Sequence, residues 1–228
     1  MDDIRGSLHR SPPLGAVAVV FVLLFAASII VTLASSGGAP YPTPYRALAE
    51  AQQYYARFAG ALRVSAFLQL GAMVPLAVYS ATVFSRLIFH RVEVAGSAIA
   101  GFGGAAAAIF LGISAVSAWT LTQPGIAEEA GALRVVQLLA FASGGFAHTL
   151  SLGLLLAGVS VPALSFGLLP RWLCWAGLTV AVICMCSMLA LLLPELSVLL
   201  PLARFPGYLW LIGVGFALPK ARASAARP

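Results

Sequence analysis

Charged residues are scarce in this sequence. Asp, Glu, Lys and Arg make up 9% of its 228 residues, whereas apolar residues make up 61%, with a mean hydropathy of +0.99. A soluble domain carries about 25% charged residues and about 45–50% apolar ones. A chain of this length has no core large enough to bury so much apolar surface. The composition therefore excludes a soluble or disordered protein and predicts a membrane protein.

Acidic residues are missing from the apolar runs. All seven lie outside these runs or at their edges: Asp2, Asp3, Glu50, Glu93, Glu128, Glu129 and Glu195. Ion-coupled transporters and proton relays usually keep a carboxylate at membrane depth, so this absence disfavours both classes. The chain also lacks an HExxH zinc motif and a GxxxxGK[ST] phosphate loop. Its three cysteines, Cys174, Cys184 and Cys186, share one apolar run, which is not a disulfide framework of the secreted kind.

Six apolar runs approach the length of a membrane span, which needs about 20 mostly apolar residues. The sequence therefore predicts an all-α transmembrane bundle, with the whole chain as one domain and spans at 14–34, 64–84, 95–118, 135–159, 172–193 and 203–218. The first run is longer than the apolar part of a signal peptide, which has about 7–15 residues, and no clean cleavage site follows it. We expect it to be retained.

The basic residues predict the orientation. If the N-terminus is cytoplasmic, eight of the thirteen Lys and Arg residues lie on the cytoplasmic side and five lie outside. Positive charge favours the cytoplasmic side, so both termini are predicted there. The net charge of +6 gathers at span ends and gives no reason to expect a nucleic-acid partner. The abundance of Arg, Ala and Gly indicates a bacterial gene, which places the protein in the inner membrane.

The longest connection, 35–60, has two parts. Its Gly- and Pro-rich half cannot be regular, and Thr43-Pro44 is typical of the start of a helix. The following ALAEAQQYYARF is amphipathic, so we predict an interfacial helix in this outer loop. An extension of the second span into water is the alternative.

Small residues recur every fourth position in the third span, at Gly96, Ala100, Gly104, Ala108 and Gly112. The fourth span presents Gly145 and Gly153 in the same way. Such faces allow the backbones of two helices to approach closely. They predict tight packing within the bundle, with a homodimer contact as the alternative.

The stretch FASGGFAHTLSLG, residues 141–153, places an ionisable ring, His148, near the middle of the fourth span. A hydrogen bond to another helix would account for it, with Ser143, Thr149, Ser151 or polar groups of the second and third spans as partners. A serine–histidine dyad with Ser114 is disfavoured, because the two residues are expected at depths too different for a hydrogen bond.

A soft-metal or haem site is the second alternative for His148. The motif ICMCSM places Cys184 and Met188 four residues apart on the fifth span, at a depth similar to that of His148. Thiolate, thioether and imidazole suit Cu(I), so these three residues are weak metal candidates. Because Cys and Met also fill apolar cores, no metal and no cofactor is predicted.

Arg204, in PLARFPGYLW, allows two interpretations. If the last span begins near Arg204, Pro206 falls in its first turn and the arginine extends to the interface. The alternative is a broken helix whose arginine faces a cavity and binds an anionic group.

The second half of the chain resembles a known family. The succession GGFAHTLSLGLLLAG, LLPRWLCWAGL and LARFPGYLWLIGVGFALPK is similar to that of small multi-pass bacterial membrane proteins that share a domain of unknown function. The resemblance covers about residues 45–219. It implies a six-helix inner-membrane protein, and it supplies neither an activity nor catalytic residues.

These features favour a non-enzymatic accessory or sensory membrane component that acts through packing or partners. Its partners would be the lipid bilayer, a second copy of the chain or another membrane protein. A transporter or a lipophilic-ligand-binding protein with a site near the midplane is the rival, and an enzyme using a bound metal or haem comes third. The candidate functional layer is the same for each: His148, Gln69, Cys184 and Arg204.

Overall fold

The computed structural model describes residues 9–39 and 41–221, and within these ranges every regular element is a helix. Six helical segments are long and apolar enough to cross a membrane, as predicted: Leu14–Ser35, Leu48–Phe89, Ala95–Thr120, Ala130–Ser165, Arg171–Leu191 and Pro194–Ala217. An isolated apolar helix satisfies its own backbone hydrogen bonds, which is what a span in lipid requires.

The helices are numbered in chain order. The α-helices are α1 (Leu14–Ser35), α2 (Leu48–Phe89), α3 (Ala95–Thr120), α4 (Ala130–Phe141), α5 (His148–Ser165), α6 (Arg171–Cys186) and α7 (Leu199–Ala217). A π-helical turn, Ala142–Ala147, joins α4 to α5 in one continuous span. Two 3₁₀ segments, Ser187–Leu191 and Pro194–Val198, connect α6 to α7.

The six spans form a ring in which each packs against its neighbours in sequence, and α7 closes the ring against α1. One end of the bundle, named here the loop end, carries the connections 36–47, 121–129 and 192–198. The opposite end, named here the termini end, carries the chain segments 9–13 and 218–221. A hydrogen bond of 2.9 Å from the His9 amide to the Lys220 carbonyl joins these two segments.

The stretch after Ala47 is helical, as predicted, and α2 extends from Leu48 to Phe89 as two helices joined across a kink at Phe58 (φ −112°, ψ 16°). Two predicted boundaries are wrong. Thr43 lies in a turn rather than at the start of a helix, with its carbonyl accepting from the Arg46 amide at 3.1 Å. The fourth span is also about three turns longer than 135–159.

The last span begins earlier than expected. Helix α7 starts at Leu199, so Pro206 lies seven residues inside it and not in its first turn. Proline removes one backbone hydrogen bond, and membrane helices tolerate this loss where neighbouring groups or local adjustments compensate. Arg204 is consequently more than one turn inside the helix.

The small residues of α3 face other helices of the same chain. A Cβ added at Gly96 would come within 3.1 Å of the Pro162 ring on α5, and one at Gly104 would overlap Ser80 on α2. Their companions Ala100 and Ala108 are buried, and a Cβ at Gly112 would meet the Met73 sulfur on α2. The predicted stripe thus contacts two neighbours rather than one.

The closest approach of α3 to α5 involves glycines outside that stripe. A Cβ at Gly103 would lie 2.6 Å from the Leu155 amide nitrogen, and one at Gly158 would lie 2.5 Å from the Ala100 amide nitrogen. Backbone atoms cannot move aside as a flexible side chain can, so only glycine fits at these two positions. Gly153, which was predicted as a packing residue, allows α5 and α6 to approach closely: a Cβ added there would lie 2.6 Å from the Cys184 Cβ.

A buried arginine closes the termini end. The guanidinium of Arg86 on α2 is fully buried and donates to the Ser11 hydroxyl at 3.3 Å and to the Pro12 and Leu218 carbonyls at 3.2 Å each. The sequence indicates only that Arg86 lies at the end of a span, and it does not predict this burial. In the structure it ties the segments before α1 and after α7 to α2.

Candidate functional site

The stretch singled out in the sequence contains the π-helical turn. In ASGGFA, two consecutive glycines weaken the preference for a regular α-helix. A Cβ at Gly144 would overlap the hydroxyl of Ser114 on α3, so the turn packs closely there. The Ser114 hydroxyl donates to the Ala140 carbonyl at 2.8 Å. Single π-helical turns within α-helices occur frequently at functional sites.

His148 follows this turn and lies fully buried at the centre of the ring. Its Nδ1 is 2.8 Å from the Ala107 carbonyl on α3, and its Nε2 is 2.7 Å from the Tyr208 hydroxyl on α7. A carbonyl can only accept, so Nδ1 carries the proton and donates, whereas Nε2 accepts from the tyrosine. The imidazole thus joins three spans through two hydrogen bonds.

The predicted hydrogen bond from His148 to another helix is present, and Ala107 belongs to the third span, which was one of the expected sources. The nearby hydroxyls are not its partners. Thr149 is buried, and its hydroxyl has no hydrogen-bond partner among the described residues. Ser143 donates to the Leu139 carbonyl of its own helix at 2.6 Å. Ser114 bonds to Ala140, and the two His148 nitrogens are occupied by other groups, so no serine–histidine dyad forms. Tyr208, which sequence reasoning missed, is the side-chain partner.

The Tyr208 ring is held by aromatic neighbours from α1. Its centroid is 4.8 Å from that of Phe21 and 5.0 Å from that of Phe25, both in edge-on arrangements. Edge-to-face pairs of this kind are favourable beyond the area they bury. These aromatic side chains fill the centre of the six-helix ring at the level of His148, where α7 meets α1.

Arg204 lies one helical turn before Tyr208, on the same face of α7. Its guanidinium donates to the Gly144 carbonyl in the π-helical turn and lies 5.8 Å from the centroid of the Phe25 ring. Its Nε is buried without a hydrogen-bond partner among the described residues. The arginine therefore faces the interior of the bundle, as the alternative interpretation of the sequence had it.

A cavity of about 510 Å³ lies between Arg204 and the loop end. Helices α1, α2, α3, α4 and α7 and the π-helical turn form its walls, which are mainly apolar. Arg204 is the one charged residue among the described residues that line it. The polar lining also includes Gln69, Ser65, Ser114, Gln137 and Ser197.

The connection after α1 covers the cavity. Residues 41–45 line it, and the Gln137 side chain holds them by donating to the Pro42 carbonyl at 2.8 Å. Arg134 donates to the Pro44 carbonyl and, at 3.0 Å, to the Arg46 carbonyl. The hydroxyls of Tyr41 and Tyr55 hydrogen-bond at 2.9 Å. Contacts with α2 and α4 thus hold an irregular loop over the cavity mouth.

The four residues of the predicted functional layer lie in two different parts of the structure. Gln69 and Arg204 line the cavity, whereas His148 and Cys184 are fully buried in packed parts of the bundle and are not among its lining residues. Gly145, predicted as a packing residue, also lines the cavity, and a Cβ there would come within 3.3 Å of Leu200 on α7.

The three weak metal candidates do not form a cluster. The lone pair of the His148 Nε2 accepts from Tyr208, Cys184 is buried behind Gly153, and Met188 is 50% exposed on the outside of the bundle. Within the described part of the chain, no group of three or more His, Cys, Asp or Glu side chains is placed to hold a metal ion.

Comparison of the chain with models of known protein families, with curated proteins and with solved structures finds no significant match.

Proposed function

We propose that this protein is a non-enzymatic membrane component that binds a lipophilic small molecule in the cavity at its loop end. The observation that carries the proposal is the cavity itself, with a volume of about 510 Å³ and mainly apolar walls. Ligand sites are typically clefts of about 300–1,000 Å³ lined by apolar side chains with a few polar groups. Binding of this kind fits a sensory or accessory component.

The proposed binding site does not include His148. A midplane site would need an imidazole with a free nitrogen, whereas both nitrogens of His148 are engaged within the protein. Those bonds support a structural role for His148, as in a bundle that acts through packing alone. Packing alone does not account for Arg204, whose charge lies inside the bundle beside unfilled space.

We propose also that the protein belongs to the bacterial inner membrane with both termini in the cytoplasm. The count of Lys and Arg in the sequence supports this orientation, because a cytoplasmic N-terminus assigns eight of the thirteen to cytoplasmic segments. The resemblance to a bacterial six-helix family supports the same location. In this orientation the cavity opens towards the outer leaflet.

Native mass spectrometry of the protein, released into a mild neutral detergent, tests the binding of a lipophilic molecule. We expect a stoichiometric adduct that a cavity-filling substitution, Ala66→Phe, removes. Ala66 lines the cavity and is buried on α2. The matched control is Ala98→Phe, since Ala98 is exposed on the outside of α3.

An adduct retained in the control and lost in Ala66→Phe supports the proposal. A wild-type protein that carries no adduct, and that takes up neither a fatty acid nor a fatty alcohol when these are added, contradicts it. Equal loss of the adduct from both variants also contradicts it, because the ligand would then lie elsewhere.

A further inference from the structure

We infer that the molecule bound in this cavity is an amphiphile with an oxyanion headgroup, a carboxylate or a phosphate, held by Arg204, with Gln69 as a second donor in the lining. The inference rests on the proposed function and names the chemical class of its ligand. Three observations support it: the charge of Arg204, the supply of free donors in the cavity and the apolar wall next to them.

The charge of Arg204 has no counterion in the structure. Among the described residues the one ion pair joins Arg46 to Glu50, and no Asp or Glu lines the cavity. A guanidinium remains charged in proteins, and a charge at membrane depth costs several kcal/mol unless it is paired or hydrated. An anion in the cavity would supply the missing partner.

The hydrogen bonds of the cavity leave donors without acceptors. The hydroxyls of Ser65 and Ser114 already donate to carbonyls of the protein, at 2.9 and 2.8 Å, and the Gln137 amide donates to the Pro42 carbonyl. Among the polar lining residues, Arg204 keeps an unpartnered buried Nε, and the side chains of Gln69 and Ser197 make no hydrogen bond within the described residues. A planar guanidinium matches the geometry of carboxylate and phosphate oxygens.

The rest of the cavity suits an alkyl chain. Beside Arg204 the walls are built by apolar residues of α1, α3 and α7, among them Phe25, Ile29 and Leu111. Leu33 on α1 and Phe205 on α7 line the cavity and are also 54% and 47% exposed, so this wall is not sealed. A lipid chain would enter between α1 and α7, with its headgroup at the arginine.

The test compares three probes on delipidated protein in a neutral detergent by native mass spectrometry: oleate, oleyl alcohol and inorganic phosphate. We expect oleate to bind with 1:1 stoichiometry and at least about tenfold more tightly than oleyl alcohol, because hydrogen bonds to charged groups contribute more than neutral ones. Arg204→Gln should abolish this preference, whereas Arg204→Lys should retain part of it. The control is Arg63→Gln, because Arg63 is at the loop end but does not line the cavity.

The outcomes separate this inference from the proposed function. If oleate and oleyl alcohol bind equally well and Arg204→Gln changes neither, the inference is wrong and the lipophilic site stands. If neither binds, both are wrong. If phosphate alone binds and competes with oleate, the ligand is a free anion and the lipid assignment is overturned. The preference of the wild-type protein for oleate over the alcohol decides the question even if Arg204→Gln does not fold.

Discussion

His148 shows how both nitrogens of a buried polar ring can be satisfied inside a helical bundle. Its two nitrogens differ in role: Nδ1 donates to the Ala107 carbonyl and Nε2 accepts from the Tyr208 hydroxyl. Each bond crosses to a different helix, so the ring fixes the rotation of α3 and α7 relative to α5. Losing either partner would leave a buried polar atom unpaired, which costs more than the bond itself contributes.

Tyr208→Phe should therefore lower the free energy of unfolding by about 1 kcal/mol, because the His148 Nε2 loses its donor while the aromatic contacts with Phe21 and Phe25 remain. A double-mutant cycle with His148→Phe should give a coupling energy of about 0.6–1.7 kcal/mol, the range measured for hydrogen bonds between membrane helices. The measurement is unfolding in mixed detergent and denaturant micelles.

Tyr45→Phe is the matched control for this residue-scale prediction, because Tyr45 is 53% exposed. Removal of its hydroxyl should leave the free energy of unfolding unchanged. A coupling energy of zero between His148 and Tyr208 would show that the hydrogen bond seen in the structure contributes nothing to stability.

A hydrogen bond from His148 to another helix could be predicted from the sequence, but its side-chain partner could not. An ionisable residue within a long apolar run stands out against its neighbours. Tyr208 lies 60 residues away, and only the folded arrangement of α5 and α7 brings the two together. Thr149 was the near neighbour expected to help, yet consecutive helical residues point in directions about 100° apart, and its hydroxyl bonds to nothing described.

At the scale of elements, the contact between α3 and α5 depends on glycine. Gly103 and Gly158 allow backbone atoms of the two helices to approach where a methyl group would lie 2.6 and 2.5 Å from an amide nitrogen. Gly103→Ala should therefore destabilise the fold by about 1–3 kcal/mol, the range for overpacking a close contact. Thermal unfolding in detergent measures this effect.

Gly71→Ala provides the control for that substitution. Gly71 lies within α2 and a Cβ there would meet nothing within 4 Å. Because alanine favours a helix more than glycine does, this variant should be as stable as the wild type or more so. Equal destabilisation by both substitutions would mean that helix propensity, and not the approach of α5, determines the effect at Gly103.

The periodicity of small residues predicted close packing correctly, but it did not predict which helices the small residues contact. Residues four apart are displaced by about 40° around a helix, so the five positions from Gly96 to Gly112 turn through about 160°. One end of this stripe consequently faces α5 and the other faces α2. Gly103 and Gly158, where the backbones of α3 and α5 approach most closely, lie outside the pattern, and no spacing rule within one helix identifies them.

At the scale of the whole molecule, the cavity follows from how the ring closes. Helices α1 and α7 touch closely towards the termini end, where a Cβ at Gly215 would lie 2.7 Å from the Gly15 Cα, and Arg86 ties the two flanking segments together there. Towards the loop end the same helices line an unfilled space. Composition predicted six membrane helices, but a gap between the first and the last depends on the tertiary arrangement alone.

The two ends of the molecule also provide a test of its orientation. Glu128 is exposed at the loop end and Lys220 is exposed at the termini end. In a Cys186→Ser background, we expect Glu128→Cys to react with a membrane-impermeant maleimide on cells with a permeabilised outer membrane and an intact inner one. Lys220→Cys should react only after the inner membrane is opened, because the count of Lys and Arg in the sequence favours cytoplasmic termini. Cys174 and Cys184 are buried and should stay unlabelled until the protein is denatured. The opposite pattern would reverse the orientation and place the cavity, with Arg204, in the cytoplasmic leaflet.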